Sequence, residues 1–413
     1  MNKKRFIVIG GGAAGFFCAV NAARMRPELE VIVAEKTNKI LSKVRVSGGG
    51  RCNVTHSCFS IAEMVKKYPR GSHFLKKTFY RFFTTDTIRW FEERGVALKT
   101  EPDGRMFPET DSSETIIECM LADAHKYRVQ IQMNREVKEL TPKGEKWLVQ
   151  YIDGQEEADY ICIACGGYPK ASLFEWILRL GHTIEDPLPS LFTFNIPKHP
   201  VTELMGVAVE KARVRVSASK LEEEAPLLIT HWGMSGPAIL KLSAWGAREL
   251  AEKGKPGPVY HFSTLVNWVP PFNDTTLRAF LQKLRFEAAT QKMVNRNPFR
   301  LPQRLWEFIL NQSDVNPDLR WADLPARQQN LLIKNLCAHE FQVKGKTTFK
   351  EEFVTAGGIR LGEVDPSTMM SRLHRHLYFA GEILDVDGIT GGFNFQHAWT
   401  SGWIVAESIA EAD

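Results

Sequence analysis

The chain has 413 residues, of which 44% are hydrophobic and 24% are charged, as is ordinary for a globular protein of two or three domains. This composition excludes a disordered tail and a miniprotein that depends on disulfides. The 53 Lys and Arg residues exceed the 48 Asp and Glu residues by five, and we expect this small surplus to be spread along the chain, so charge identifies no partner. The seven cysteines are an odd number in a chain of this length, which predicts reduced thiols and a cytoplasmic protein.

The N-terminal residues predict a βαβ unit. Phe6–Ile9 is a short apolar run, typical of a central parallel strand that is covered on both faces. An Ala-rich helix is expected over 13–26, and the apolar run 31–35 predicts the next strand. Glycines interrupt the N-terminal apolar run, so we expect no secretory signal. No run of about 18 apolar residues occurs, and the sequence predicts no membrane-spanning segment.

The remaining segments alternate between helical and strand patterns. Before a change of character near 187–197, we expect a glycine-rich loop at 43–53, helices within 72–95 and 112–127, and strands at 147–151 and 160–164. After it, strict alternation over 213–219 predicts a half-exposed antiparallel strand. Helical spacing follows over 274–336, with Asp274 as a cap and Pro302 in a first turn. A last strand at 377–380 and a helix over 393–412 complete the pattern.

A glycine motif lies between the first strand and the first helix. Gly10, Gly12 and Gly15 form G-x-G-x-x-G, which allows a tight turn and the approach of a pyrophosphate to the helix N-terminus. Glu35 follows Gly15 by twenty residues and ends the second strand, where its carboxylate can accept hydrogen bonds from ribose hydroxyls. Together these features predict dinucleotide binding.

A second glycine-rich segment, at 377–395, indicates which dinucleotide is bound. A buried strand ends in Gly381 and Glu382, which can hydrogen-bond the ribityl chain of FAD. The helix that follows would direct the N–H groups of residues 391–394 at the flavin, where negative charge develops on reduction. Asp385, Asp387 and Asn394 are equally compatible with loop or cap roles when each is considered alone. A nicotinamide enzyme needs no such second site, so the sequence favours FAD.

Several motifs resemble those of one bacterial family, the NAD(P)/FAD-dependent oxidoreductases of the aminoacetone-oxidase and dehydro-bile-acid-reductase type. The resemblance extends from about residue 5 to 410. It rests on the first glycine motif with Glu35 and on SGGGRCN at 47–53, EPDGRMFP at 101–108, ACGG at 164–167, THWGMSGP at 230–237, TAGG at 355–358 and GEILDVDGITGGFNFQ at 381–396.

The resemblance implies an α/β fold of glutathione-reductase type, with a Rossmann-like FAD-binding domain formed by both ends of the chain. We expect this domain at 1–190 and 346–413. A β-barrel-like inserted domain is expected at 191–273 and 335–345, with a small helical subdomain at 274–334. The family usually has Ala-Thr-Gly-Gly and a longer loop where this chain has Cys165 and a short connection, which predicts a changed surface near the cofactor.

The expected site residues fall into two groups. The cofactor-binding set is Gly10, Gly12, Ala14, Gly15, Glu35, Lys36, Lys43, Ser47, Gly48, Gly49, Gly50, Arg51, Cys52, Asn53, Val137, Ala164, Gly166, Gly381, Glu382, Asp385, Gly391, Gly392, Phe393 and Asn394. The candidate catalytic set is His231, Arg51 and Cys52. No cluster with metal-ligand spacing and no Ser-His-Asp arrangement is evident, so no metal is expected.

Each candidate also has a structural interpretation. Cys162 and Cys165 form C-x-x-C, but their position in a strand favours packing over redox chemistry. Cys52 can be a reactive thiol or can pack beneath the cofactor, and His231 can donate a proton or brace a turn. Arg51 and Lys43 can neutralise phosphate or remain solvated; Arg105 is a comparable candidate or an ion-pair partner, and His397 is expected to pack.

The sequence therefore predicts a FAD-dependent oxidoreductase that transfers a hydride between NAD(P)H, or an organic donor, and a small organic acceptor such as an enone or steroid-like C=C bond, or oxygen. The presence of a single G-x-G-x-x-G motif argues against a second nicotinamide domain, so NAD(P)H would bind transiently. We expect a small-molecule substrate and no nucleic acid. The alternative is a flavoprotein for RNA modification or partner binding, which the basic residues between 283 and 304 would support.

Overall fold

The computed structural model describes residues 3–347 and 354–412. The strands of these residues are β1 (Arg5–Ile9), β2 (Glu30–Ala34), β3 (Thr55–His56), β4 (Leu98–Thr100), β5 (Arg105–Pro108), β6 (Gln130–Gln132), β7 (Val137–Lys143), β8 (Lys146–Tyr151), β9 (Gln155–Ala158), β10 (Tyr160–Ile163), β11 (Ile184–Ser190), β12 (Thr193–Asn195), β13 (Ala208–Val216), β14 (Glu222–Thr230), β15 (Gly233–Ser235), β16 (His261–Asn267), β17 (His339–Lys344), β18 (Lys346–Thr347), β19 (Val354–Ile359) and β20 (Leu377–Phe379). The α-helices are α1 (Ala13–Met25), α2 (Ser42–Gly50), α3 (Ile61–Met64), α4 (Ser72–Thr78), α5 (Thr84–Glu92), α6 (Ser113–Lys126), α7 (Glu175–Leu178), α8 (Pro237–Trp245), α9 (Ala247–Glu252), α10 (Asp274–Glu287), α11 (Gln303–Gln312), α12 (Ala326–Cys337) and α13 (Phe393–Ala410). None of the helices within these ranges is long and apolar enough to cross a membrane.

The chain divides into two compact units, each with its own core. The first unit combines Met1–Ser190 with Phe349–Asp413, so it contains both ends of the chain. The second unit is Leu191–Thr348.

A parallel sheet of five strands forms the centre of the first unit, in the order β20-β10-β1-β2-β6. Phe6, Ile7 and Val8 of β1 are fully buried, because helices cover parallel sheets on both faces and every side chain of a central strand meets protein. Helices α1 and α13 pack closely against each other beside this sheet. Smaller antiparallel sheets, β3-β5-β4, β7-β8-β9 and β11-β19, complete the unit. The predicted α/β fold with a Rossmann-like domain is confirmed.

An antiparallel sheet of seven strands organises the second unit, in the order β17-β16-β13-β14-β15-β12-β18. Strand β12 also lies near β17, the strand at the opposite edge of the sheet. Strand β13 alternates buried and exposed side chains over much of its length, as predicted for a half-exposed strand. Helices α10, α11 and α12 follow β16 and enclose the fully buried indole rings of Trp306 and Trp321. The predicted sheet-rich insertion with a helical part is therefore present.

Three local predictions were wrong. Residues 43–53 are not all loop, because α2 begins at Ser42 and becomes non-helical only at Ser47–Gly49. The cap of α10 is Asn273 and not Asp274, since the Asn273 side chain accepts a hydrogen bond from Thr276 N at 2.9 Å. Pro302 precedes α11 as its cap and does not lie in the first turn. All three errors concern element ends, which depend on single hydrogen bonds.

Candidate functional site

The turn between β1 and α1 requires glycine at two positions. Gly10 has a φ of +114°, and a Cβ there would lie 2.6 Å from the carbonyl oxygen of Ala164. A Cβ at Gly15 would lie 2.0 Å from the Gly10 oxygen. At Gly12, by contrast, a Cβ would meet no atom of the described chain. Gly12 is the N-cap of α1, and because no side chain caps this helix, the N–H groups at its N-terminus remain available to an anion. The motif therefore combines a tight turn with free access of an anion to the N-terminus of α1.

Glu35 is held beside this turn. Its Oε2 accepts a hydrogen bond from Gly11 N at 2.9 Å, and its Oε1 accepts from Thr37 N at 2.9 Å and from Thr37 Oγ1 at 2.8 Å. A carboxylate has about four lone-pair sites, so Glu35 retains capacity for a further hydroxyl donor. Its neighbour Lys36 lies over the ring of Tyr168, at 5.5 Å from the ring centre. Arg135 N donates to the Glu35 backbone oxygen at 2.8 Å and so connects the strand end to the start of β7, where Val137 is buried.

The second glycine-rich segment lies directly against the first. Gly381 has a φ of +75°, and a Cβ there would lie 2.8 Å from Cβ of Ala14. Its N–H donates to Ser401 Oγ at 2.9 Å, which attaches the segment to α13. Gly402 is the next residue of α13, and a Cβ there would be 2.7 Å from the Ala14 oxygen. The two ends of the chain thus meet at Ala14.

The SGGGRCN segment joins the same cluster through Asn53. Gly48, Gly49 and Gly50 all have positive φ, and a Cβ at Gly48 would lie 2.8 Å from the Phe107 ring, whereas Gly49 and Gly50 face open space within the described structure. With its amide oriented to satisfy both neighbours, Asn53 accepts from Gly392 N at 2.9 Å and donates to Thr55 O at 3.0 Å. Ser47 donates to Val44 O at 3.1 Å. This loop therefore contacts the start of α13.

The charged candidates near these loops are paired with carboxylates. Arg51 contacts Glu101 at 2.6 Å and Asp111 at 3.5 Å and lies over the ring of Phe107. Arg105 contacts the same Glu101 at 2.8 Å, in agreement with its structural interpretation. Hydrogen bonding to Glu101 raises the pKa of Arg51, which remains a permanent cation.

Lys43 is the second predicted cation, and it contacts a residue of the other glycine-rich segment. Its Nζ lies 2.5 Å from Glu382 Oε2, and the other oxygen of Glu382 accepts from Thr355 N at 2.8 Å. Glu382 therefore links α2 to β19 and is fixed in position from both sides.

The thiol candidates are poorly ionised. Burial raises the pKa of Cys52 to about 12, and the side chain is fully buried. Burial also raises the pKa of Cys165 to about 11, and Cys162 is fully buried in β10. Because the thiolate is the reactive form, these environments favour packing roles over redox chemistry.

The two candidate histidines belong to different units. His231 is exposed in the turn between β14 and β15 of the second unit, where its ring packs on Trp232 with 3.7 Å between ring centres. His397 is buried in α13 of the first unit, and its Nε2 lies 3.2 Å from Gly381 O. Desolvation lowers the pKa of His397 to about 4, so this imidazole is neutral at pH 7 and suits packing, as predicted.

One buried charge cluster was not predicted from the sequence. Asp387 is fully buried and receives both Nε and Nη2 of Arg70, and Ser190 Oγ donates to Asp387 Oδ2 at 2.7 Å. Desolvation raises the pKa of Asp387, and hydrogen bonding to Arg70 opposes this effect. Arg70 is separated from Asp387 by 317 positions in the chain, and no pattern around either residue signals the pair.

The other acidic and amide candidates of this segment have backbone partners. Asp385 Oδ1 accepts from Gly357 N at 3.0 Å. Asn394 accepts from Gly388 N at 2.8 Å and donates to Gly388 O at 3.0 Å. Both residues therefore shape the loop before α13, and neither caps the helix.

The cluster has the features of a cradle for a dinucleotide flavin. Thr355 Oγ1 and His397 Nδ1 are buried and have no hydrogen-bond partner in the part of the chain that the structure describes. Gly166 has a φ of +74° and, like Gly12 and Gly49, faces open space there. Unpartnered buried polar atoms beside open glycine loops fit a polar ligand such as FAD. Among the described residues, no group of three or more His, Cys, Asp or Glu side chains can hold a metal ion.

A comparison with protein families identifies the family of this chain. The family described as "HI0933-like protein Rossmann domain" matches residues 4–408. This chain belongs to the HI0933-like family. It is a FAD-dependent oxidoreductase, in agreement with the predicted enzyme class and cofactor.

Relatives of known name match the chain along nearly its whole length. The 3-dehydro-bile acid Δ(4,6)-reductase of Clostridium scindens is 28% identical over 420 residues, which cover 98% of this chain and 99% of the relative. The ribosomal RNA dihydrouridine synthase of Escherichia coli is 30% identical over 422 residues, which cover 100% of this chain and 99% of the relative. The resemblance to dehydro-bile-acid reductases that the motifs predict is confirmed.

A solved structure shows the same fold. The 3-ketosteroid-Δ4-(5α)-dehydrogenase of Rhodococcus jostii RHA1, in complex with 4-androstene-3,17-dione, has a TM-score of 0.52 and 12% sequence identity. The match covers 99% of this chain and 97% of that chain. At this identity the likeness concerns the fold alone.

Proposed function

We propose that the chain catalyses the reduction of a carbon–carbon double bond conjugated to a carbonyl group, with NAD(P)H as the hydride source. The names of both relatives describe such a reaction: a Δ4 bond is conjugated to the 3-oxo group of a dehydro-bile acid, and dihydrouridine is uridine with its ring double bond saturated. A steroid-like enone and a uracil ring are chemically similar acceptors, because in both the carbonyl withdraws electrons from the carbon that receives hydride.

The observation that carries this proposal is the contact between Gly381 and Ala14. It brings the pyrophosphate-type turn at the start of α1 and the GEILDVDGITGGFN segment before α13 into one cluster. A site of this kind uses both ends of the chain, and both relatives align with this chain from end to end. The shared reaction chemistry of the relatives therefore supports an assignment for the whole site.

In this proposal the residues of the first unit hold the cofactor. The N–H groups at the start of α1 bind the pyrophosphate, and Glu35 accepts hydrogen bonds from the adenosine ribose. Glu382 and Thr355 bind hydroxyl groups of the ribityl chain, and Lys43 fixes the orientation of Glu382. The remaining proposed cofactor contacts come from 47–53, from Val137, Ala164 and Gly166, and from 391–394.

The chain also stabilises charge at the reacting end. FAD, when bound, supplies the centre that accepts hydride from the donor and passes it to the double bond. Helix α13 has 18 residues, so its N-terminus at Phe393 presents partial positive charge to an anionic group. His231 and Arg51 are the proposed groups for proton donation or carbonyl polarisation, whereas the buried Cys52 has a packing role.

The direct test is anaerobic turnover with product analysis. The purified holoenzyme is mixed with NADH or NADPH and then with 4-androstene-3,17-dione or with a uridine-containing RNA. We expect bleaching of the flavin by a nicotinamide and a product that carries two additional hydrogens. Bleaching without a saturated product from either acceptor would refute the reductase assignment.

A further inference from the structure

Several short segments of the chain are strongly basic, and one of them lies in the helical part of the second unit. Residues 283–304 contain six basic residues and one acidic residue, a net charge of +5, which equals the net charge of all 413 residues. The rest of the chain is therefore neutral on balance. Other basic segments occur elsewhere, such as 66–81 with six basic residues and no acidic residue, so the surplus is spread along the chain as expected.

Backbone pairing in the helical part of the second unit brings residues 289–293 of this segment beside residues 319–322. The segment after α10 runs beside 319–322: Met293 N donates to Leu319 O at 2.9 Å, and Ala322 N donates to Ala289 O at 3.2 Å. This pairing places Lys292 opposite Arg320, and Arg296 N donates to Lys292 O at 3.2 Å.

The end of α10 extends the same surface. Arg285 of α10 reaches across to the oxygen of Ala322 at 2.9 Å, and Lys283 lies on the exposed side of the same helix end. We call the following residues the basic surface: Lys283, Arg285, Phe286, Lys292, Arg296 and Arg320.

The positive charge of the basic surface is only partly compensated. Lys283 contacts Glu287 at 3.5 Å and Lys292 contacts Asp318 at 2.6 Å, but all four side chains are highly exposed. Such surface pairs contribute about 0–1 kcal/mol and exchange readily with other anions. Arg296 and Arg320 are exposed and form no ion pair among the residues that the structure describes.

An aromatic ring stands within this surface. Phe286 is 87% exposed, more than any other large hydrophobic side chain in the described ranges. It lies three residues after Lys283 on α10, so the two side chains share a helix face. A solvated charged face needs no exposed phenyl ring, whereas nucleic-acid surfaces combine cations for phosphates with aromatic rings for bases.

We infer that the basic surface binds single-stranded RNA, with its Lys and Arg side chains on phosphates and Phe286 stacked on an unpaired base. Stacking on an exposed ring requires a base outside a duplex, which favours single-stranded over double-stranded RNA. The inference rests on the proposed function in one respect: RNA bound here would be the carrier of the uracil ring that the flavin site reduces.

The test is the binding of a fluorescent single-stranded RNA 20-mer of mixed sequence to the holoenzyme over a range of salt concentrations. The variant Lys292→Glu/Arg296→Glu reverses two charges on the basic surface. Lys211→Glu/Lys255→Glu makes the same net change at two exposed lysines elsewhere in the second unit. Phe286→Leu removes the flat ring and keeps an apolar side chain, and Phe286→Trp restores a stacking ring.

We expect the K292E/R296E variant to raise the Kd at least about 10-fold and to reduce the slope of log K against log salt by about 1–2. The K211E/K255E variant should leave the affinity within about 2-fold, and F286L should weaken binding whereas F286W should not. FAD content and flavin reduction should be unchanged in all four variants, since none of these positions belongs to the proposed cofactor-binding or catalytic residues.

Equal losses in both charge-reversal variants, or a wild-type protein that prefers duplex RNA or anionic lipid vesicles to the single strand, would overturn the inference. Absence of RNA binding by the wild type at low salt would overturn it as well. A failure of the proposed function is seen separately: the wild type would then bind the single-stranded RNA but form no saturated product from any acceptor.

Discussion

Gly381 lies against Ala14, with space for no more than a hydrogen between its Cα and the alanine methyl group: a Cβ at Gly381 would lie 2.8 Å from Ala14 Cβ. The two residues are far apart in the sequence: Ala14 lies in the first turn of α1, directly after the first glycine turn, and Gly381 lies in the glycine-rich segment before α13. Their contact fixes the distance between the two turns. We therefore expect the proposed flavin site to require a glycine at position 381.

The substitution Gly381→Ala should impair both stability and cofactor binding. The added methyl group meets Ala14 and the backbone has a φ of +75°, so we expect a loss of about 1–3 kcal/mol in the free energy of unfolding and reduced FAD content. Gly362→Ala is the matched control, because the described structure leaves open space at Gly362. Urea unfolding and flavin absorbance measure the two effects; equal behaviour of the two variants would show that the close contact has no role.

The substitution Glu35→Ala should weaken FAD binding by at least about 10-fold, because a charge-assisted hydrogen bond contributes about 1.5–3 kcal/mol. It also removes the acceptor for Gly11 N and Thr37 N, so the turn itself loses support. Titration of apoprotein with FAD measures the change, and Glu28→Ala, at an exposed carboxylate, is the control. Unchanged affinity would mean that Glu35 is not the ribose partner.

Replacing one partner of the buried ion pair of Arg70 and Asp387 should strongly destabilise the folded protein. Arg70→Met leaves an uncompensated carboxylate that is fully buried, and we expect it to lower the free energy of unfolding by about 3–5 kcal/mol. The double variant Arg70→Met/Asp387→Leu removes both charges and should recover a large part of this loss. Denaturation curves of the wild type and the two variants test this, and a double variant no more stable than Arg70→Met would contradict it.

The histidines predict how stability changes with pH. Desolvation lowers the pKa of His397 and of His339 to about 4, well below the ordinary value of 6.5. Well above pH 6.5 these histidines are neutral in both the folded and the unfolded protein. As the pH falls from 6.5 to 4, they bind protons in the unfolded chain but not in the folded chain, so the free energy of unfolding decreases. The loss reaches about 3 kcal/mol for each histidine.

The variant His397→Gln keeps the size and polarity of the side chain but cannot be protonated. It should therefore show a shallower dependence of the unfolding free energy on pH between 6.5 and 4 than the wild type. The measurement is a series of denaturation curves across this interval. Identical pH dependence in the two proteins would show that His397 does not titrate as its burial predicts.

Cys52 is expected to be inert although it lies in the glycine loop. Burial raises its pKa to about 12, so the thiolate fraction at pH 7 is negligible. Cys52→Ser should keep flavin reduction within about 3-fold of the wild type, because the thiolate is the reactive form of cysteine. Alkylation by iodoacetamide in the folded protein should spare Cys52, and its modification would contradict this account.

The Rossmann-like centre of the first unit could be predicted from the sequence because its signals are local. Phe6–Ile9 is apolar at every position, and Gly10 and Gly15 each meet a steric requirement within one turn. Periodicity in β13 gave the half-exposed strand for the same reason. Patterns of this type depend on neighbours within a few residues, so they can be recognised without knowledge of the tertiary structure.

Contacts between distant segments could not be predicted in this way. Arg70 meets Asp387, and Lys43 meets Glu382, across more than 300 positions, and the identity of one residue does not specify the other. Helix ends were also missed, since the choice of Asn273 over Asp274 as a cap depends on one side-chain hydrogen bond. The family resemblance predicted a site formed by both ends of the chain. The structure then showed which of its side chains form hydrogen bonds or ion pairs within the protein.

The central claim is that this flavoprotein delivers hydride to a double bond conjugated to a carbonyl. The most direct measurement is the anaerobic reoxidation of the dithionite-reduced holoenzyme, followed by flavin absorbance after mixing with 4-androstene-3,17-dione, with a uridine-containing RNA, and with saturated analogues of each. The account predicts reoxidation by at least one of the unsaturated compounds, with stoichiometric saturation of its double bond, and none by the analogues. Reduced flavin that persists with every unsaturated acceptor and is reoxidised only by oxygen would contradict it.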